Sequence, residues 1–162
     1  MPAVSKAQQI AMGYIAGFFD GEGYLTIRRS NLGKARNPAY RLVLGFTNTD
    51  LTVLEWIRGL IGSGCINAKA RKSMKHSLAW ELTIHRKVEL ELVLREILPI
   101  VRIKKKQVEI ALAFLSLGNC KMVHIPRGKT WPLRIMAPGE LEKRESYKAQ
   151  MTEANRRGPC QP

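Results

Sequence analysis

Acidic residues are scarce in this chain: 13 Asp and Glu stand against 27 Lys and Arg, leaving a net charge of +14 over 162 residues. An imbalance of that size makes a polyanion, above all nucleic acid, the leading partner. A basic surface kept only for solubility stays open. Membrane-surface binding has less to support it, since no basic amphipathic helix stands out at either end. Cysteine is also sparse. Cys65, Cys120 and Cys160 lie far apart with no CxxC or Cys/His cluster, which argues against a disulfide framework or a zinc site and suits a reducing compartment. No apolar run approaches the roughly 20 residues that span a bilayer, and the first apolar stretch lacks the length and flanks of a signal peptide. A soluble, intracellular protein with no membrane partner is expected, with a bacterial or archaeal cytoplasm and an organelle matrix equally open. Internal repeats are missing too.

What is present suffices for one domain, since 45% of residues are hydrophobic. Ser5-Lys-Ala-Gln8 has the form of a capping box, and the apolar pattern after it predicts a helix over 6–20. Strands are expected at 24–30 and 39–47, joined by "NLGKARNP", and Thr52 with Glu55 opens a second helix that runs out near Gly59 to Gly62. Two more strands at 65–71 and 77–85 precede a third helix over 86–97 and a fourth over 103–117. Hairpins separated by helices indicate an α+β domain with the helices on one face of an antiparallel sheet. Beyond residue 119, Pro126, Pro132 and Pro138 are expected to break the chain into irregular pieces before a polar helical stretch, "ELEKRESYKAQMTEA". The organisation expected is a core over 1–118 and a basic C-terminal extension over 119–162 whose last residues are disordered.

Side chains alternate across a strand, so each expected strand sorts into two faces. The apolar set includes Leu25 and Ile27, Tyr40, Leu42, Leu44 and Phe46, Ile66 and Ala68, and Trp80, Leu82 and Ile84. The opposite set is Thr26, Arg28, Ser30, Arg41, Thr47, Asn67, Lys69, Arg71, Glu81 and Thr83. Such a face suits the major groove of DNA, because Arg and Lys pair with guanine edges or phosphates and Asn addresses adenine. On pattern alone, a solvated sheet face explains it equally well.

Residues 13–23, "GYIAGFFDGEG", place Asp20 and Glu22 at a helix C-terminus, where unpaired carbonyls disfavour carboxylates by ~0.3–1 kcal/mol each. A bound cation reverses that cost, and Mg2+ prefers carboxylate and carbonyl oxygens. The alternative is a turn with solvated acids. Gly13, Gly17 and Gly21 fall on one helical stripe with Ala16 beside it. Small residues four apart let two helix backbones approach closely, either against this chain's own sheet or against the same helix of a second copy.

The stretch "IAGFFDGEG" (15–23) closely resembles the signature nonapeptide of the LAGLIDADG homing endonucleases, intron- or intein-encoded enzymes that cut long DNA targets. The element order, "GFTNTD" at 45–50 and "LPIVRIKKKQ" at 98–107 are similar to the single-motif members over about residues 8–118. The resemblance implies an αββαββα fold with a four-stranded antiparallel sheet, here with a helical extension, and a homodimer in which Gly13, Ala16, Gly17 and Asp20 meet a second copy. It implies double-strand cleavage of a roughly palindromic DNA site, dependent on Mg2+ or another divalent cation. Glu22 and the carbonyl of Gly21 would bind the metal, although members commonly carry Asp where Glu22 stands. Asp50 would organise the active-site water, or simply cap the second helix, and Lys104 would support catalysis near the scissile phosphate. An arginine that some relatives carry near the start of the second helix has no counterpart at Val53 or Leu54. Two other activities are compatible with the resemblance: an RNA maturase acting on intron RNA, and a non-cleaving DNA-binding regulator.

Overall fold

A computed structural model describes residues 5–30, 38–69, 77–128 and 130–156. Helix α1 (Lys6–Glu22) begins where Ser5 accepts the Gln8 N–H at 3.2 Å. It runs two residues further than the sequence suggests, so both acids sit in its last turn. Strands β1 (Gly23–Ser30) and β2 (Ala39–Asn48) follow, then α2 (Leu51–Ile61), β3 (Cys65–Ala68), β4 (Trp80–Ile84), α3 (Lys87–Ile97) and α4 (Lys105–Ser116). Helix α2 stops at Gly62, whose φ of +74° is the left-handed conformation that glycine adopts without a Cβ penalty.

The four strands form one antiparallel sheet in the order β1-β2-β4-β3. Its register places Leu25 opposite Leu44, Ile27 opposite Leu42, Phe46 opposite Leu82 and Leu44 opposite Ile84. All of these are buried on one face, together with Phe19 of α1, Leu54 and Ile57 of α2, Leu90, Leu94 and Ile97 of α3, and Val108 and Ala111 of α4. The sorting of strand faces holds here, with Tyr40, Ile66 and Trp80 partly buried at the core's margin and Ala68 exposed on the outer strand β3.

The segment expected to be irregular is instead a hairpin, β5 (Met122–Arg127) with β6 (Thr130–Met136). Proline removes a ladder donor, but in a two-stranded ribbon each strand is an edge and tolerates the loss. The pairing shifts between Ile125 and Arg127, around Pro126. Helix α5 (Glu140–Ala154) then packs on α4 and β1. Met151 is its buried apolar contact, Tyr147 meets the Phe114 ring edge-on, and the buried Arg144 pairs with Glu140 while donating to the Gly118 carbonyl.

Helix α5 is also tied to the sheet by polar contacts. Tyr40 of β2 donates to Glu145, which pairs with Arg29 of β1 at 2.8 Å. Burial, the hydrogen bond to Glu145 and that carboxylate's charge together push the Tyr40 phenol up to about 12. With the folded value above the ordinary one near ~10, the phenol's contribution to stability is complete below about pH 10 and is lost as pH rises toward 12. Tyr40→Phe should therefore cost about 1 kcal/mol of unfolding free energy at pH 8, with the gap narrowing above about pH 10 in urea melts. Among the described residues, no helix is long and apolar enough to cross a membrane.

Candidate functional site

The end of α1 and the start of α4 cap each other across more than eighty residues. Both oxygens of Asp20 accept backbone N–H groups from the turn into α4, from Arg102 at 2.8 Å and Lys104 at 3.0 Å. Lys104 occupies the N-cap position of α4 without a side-chain capping bond of its own. Its ammonium instead runs back to α1, donating to the carbonyls of Phe19 at 2.9 Å and Gly23, and lies 5.5 Å from the centre of the Phe19 ring. The lysine thus neutralises the negative end of α1, and the aspartate holds the turn that leads into α4 through the N–H groups of Arg102 and Lys104. Burial raises the Asp20 pKa, but hydrogen bonds from Arg102, Lys104 and Ile103 and the Lys104 charge outweigh it, so the carboxyl lies below its ordinary 3.8.

Two residues expected at a dimer interface have partners within their own chain. Asp20, assigned to a dimer interface, spends its carboxylate within its own chain. Ala16, placed beside the glycine stripe, is 1% exposed and belongs to the core. Gly13, Gly17 and Gly21 do lie on an open surface: a Cβ built on any of them meets nothing within 4 Å, so packing against this chain's own sheet does not explain them. Exposed Ile10, Tyr14, Trp56 and Leu60 on α1 and α2 add apolar surface, Tyr14 stacking on Phe18 and meeting Trp56 edge-on.

Glu22 ends α1 exposed to solvent, and among the described residues its carboxylate makes no hydrogen bond or ion pair. Gly21, beside it, lines an open cleft of about 650 Å3 with Asp20, Thr26, Lys104, Asn155 and Arg156. No group of three His, Cys, Asp or Glu is gathered among the described residues. One carboxylate and a helix-end carbonyl therefore fit Mg2+, which takes one or two carboxylates and draws its other ligands from water and substrate phosphate. They do not fit an all-protein cage.

Asp50 sits at the N-cap of α2. It accepts the Thr52 N–H at 2.8 Å, while its own N–H donates to the Asn48 side chain at 2.8 Å. The capping role is thus realised. Asp50 also borders a shallow groove of about 620 Å3 with Ala7, Ile10, Ala11, Tyr14 and Trp56. That groove follows the first half of α1, so one chain does not bring Asp50 into the cleft lined by Gly21 and Lys104.

Thr26, Arg28, Ser30, Arg41, Thr47, Glu81, Thr83, Asn67 and Lys69 fall on the sheet's helix-free side, as the strand register requires. Arg71 lies outside the described residues. Three of these side chains are joined within the sheet: Lys69 pairs with Glu81 at 3.3 Å and donates to Thr47 at 3.3 Å. Glu81 also accepts from the Tyr24 hydroxyl at 3.2 Å, and Arg28 reaches the same hydroxyl at 3.5 Å. Burial first, then the Glu81 charge, raises the Tyr24 pKa.

Sequence reasoning missed Tyr24, Val43 and His85 on this face. Tyr24 is Leu25's neighbour and so alternates outward. Its ring lies where a Cβ on its register partner Gly45 would sit, 2.2 Å away, so only glycine at 45 leaves it room. Val43 is buried there, and it shares a depression of about 330 Å3 with Arg28, Ser30, Arg41, Thr83 and His85.

A family model described as LAGLIDADG endonuclease matches residues 15–110. The chain belongs to the LAGLIDADG endonuclease family. This LAGLIDADG chain carries the motif once, and its fold is shared with single-motif homing endonucleases. The homing endonuclease I-CvuI, solved with its target in the presence of calcium, is 17% identical, with 98% of this chain and 89% of that one covered at a TM-score of 0.71. The archaeal intron-encoded homing endonuclease I-Vdi141I, solved with DNA, is 20% identical over 94% of this chain and 88% of that one, also at 0.71. For the homing endonuclease I-TnaI the values are 20%, 65%, 71% and 0.55. No curated protein sequence matches the chain.

Proposed function

We propose that the chain is a homodimeric, Mg2+-dependent homing endonuclease that makes double-strand breaks in a long, roughly palindromic DNA target. The observation that carries this reading is the open glycine stripe of α1, which leads directly to Gly21 and the uncommitted Glu22 carboxylate. In a chain with one motif, apposing that stripe with its copy brings two such helix ends together on a two-fold axis. Each helix end then serves one DNA strand.

Glu22 and the Gly21 carbonyl would hold the cation, which would supply Lewis-acid activation of the phosphodiester when bound. Lys104 holds a fixed positive charge beside the cleft, where it offsets charge developing on phosphate oxygens. Asp50, which its own chain does not bring into this cleft, would orient water there from the α2 N-cap of the second copy. The sheet face lies in the major groove of a half-site, so the two-fold of the protein matches the pseudo-two-fold of the target. Residues 1–118 form the nuclease core, and 119–162 extend it.

The test is incubation of the protein with duplex DNA that joins the sequences flanking its own gene's intron, with and without Mg2+. Magnesium-dependent cutting of both strands is expected, and a wild type that leaves this duplex intact removes the nuclease reading. Affinity for the same duplex should fall with salt at a log–log slope of about −0.9 per neutralised phosphate.

A further inference from the structure

Lys104 is the fixed cation of the cleft, yet lysine is a flexible four-carbon stem that by itself holds its ammonium in no particular place. Something must fix its root. The N-cap position it occupies carries no side-chain capping bond of its own, and the donors of that turn are taken by Asp20. One of the two N–H groups that Asp20 accepts belongs to Lys104 itself. The ammonium of the same residue returns to the carbonyls of Phe19 and Gly23, on either side of Asp20, Gly21 and Glu22. Backbone and side chain of Lys104 are thus both tied to the end of α1 and its exit, through Phe19, Asp20 and Gly23, the carboxylate holding the root and the carbonyls holding the tip.

We propose that Asp20 is a positioning residue for Lys104: by fixing the 102–104 backbone it delivers the Lys104 ammonium to the carbonyls that bracket Gly21 and Glu22. A cap for α4 would take the N–H groups of the helix's first turn, whereas Asp20 takes those of Arg102 and Lys104 ahead of it. The closed loop of contacts between two residues far apart in sequence does more, because it fixes the lysine relative to the end of α1. An ordinary helix cap has no such second arm. The consequence for cleavage rests on the nuclease reading, whereas the placement of Lys104 does not.

The placement is read without metal or DNA, by acetylating the full-length protein with an N-hydroxysuccinimide ester and following each lysine by peptide mass spectrometry. In the wild type, Lys104 should react at least about fivefold more slowly than Lys105, its ammonium being held by two carbonyls and a ring. Asp20→Asn, whose amide presents a donor where an N–H needs an acceptor, should bring the two rates within about twofold. Ser5→Ala removes a cap at the far end of α1 and controls for lost stability; it should leave the Lys104 rate unchanged. Should Asp20→Asn fail to fold, Asp20→Glu, which keeps the charge and displaces it by one methylene, carries the same measurement. Equal Lys104 rates in wild type and in the folded Asp20 variant overturn the proposal.

On DNA, Asp20→Asn should slow single-turnover cleavage by about 10- to 100-fold with affinity held within about twofold, the cost of misplacing a group by a fraction of an ångström. Asp20→Asn added to Lys104→Ala should cost nothing further, and a multiplied loss would show that Asp20 does not act through Lys104. A wild type that cuts nothing but keeps the labelling pattern would remove the nuclease reading and leave Asp20 in its assigned place.

Discussion

Glu22→Gln should abolish cleavage while leaving the folded protein as stable as before, or slightly more so. The carboxylate is exposed at the negative end of α1 and makes no bond among the described residues. Removing its charge therefore breaks nothing in the fold and relieves a helix-end penalty of ~0.3–1 kcal/mol. Gln keeps the side chain's length, volume and helix propensity, so the change is one of charge alone. A neutral amide oxygen is a poor ligand for a hard divalent cation, and the stabilisation lost is several kcal/mol, which corresponds to at least about 1,000-fold in the single-turnover rate. Binding to the target duplex in the absence of metal should stay within about threefold, because the phosphate contacts that dominate affinity come from Lys and Arg. Cleavage retained at wild-type rate would remove Glu22 from the chemistry and with it the carboxylate-based site.

Most of the core architecture was legible because it follows from local rules. The capping box at Ser5, the alternation of Leu25 and Ile27 with Thr26 and Arg28, and the glycine that ends α2 are each decided within a few residues. The parts that were not legible depend on partners distant in the chain. Asp20 looked misplaced because the donors that explain it sit in the turn before α4, which the sequence does not place beside α1. Ala16 was grouped with the glycines by its size, but successive residues turn by about 100° around a helix, and its own azimuth points it into the core. Tyr24 was passed over because an aromatic residue beside Leu25 reads as strand propensity, whereas its ring crosses the open face over Gly45. The hairpin β5–β6 was missed because proline was given its meaning for a central strand, and an isolated ribbon has none. Tertiary contact supplies the partners of these residues, which neighbouring sequence does not name.

Gly17→Leu separates what α1 does within a chain from what it does between chains. Gly17 is exposed and a Cβ on it meets nothing within 4 Å, so a side chain can leave the helix there without a clash at its root. Glycine is about 1 kcal/mol worse than alanine or leucine inside a helix, because it leaves more backbone freedom to be lost on folding. The variant monomer should therefore melt slightly higher than wild type at concentrations where both are dissociated. In the proposed dimer, three small positions on one stripe let the backbone of the second copy's helix come close. A leucine at the middle one holds two helices apart by the width of its side chain and opens the gap along the whole seam. Sedimentation at micromolar concentration should accordingly show a dimer for wild type and a monomer for Gly17→Leu. Double-strand cleavage should disappear with the dimer, since the two Glu22 ends no longer meet across the target, while salt-dependent binding to half-site DNA should survive on the intact sheet face. A Gly17→Leu protein that still sediments as a dimer and cuts both strands would place the subunit contact elsewhere and leave the glycine stripe without a function.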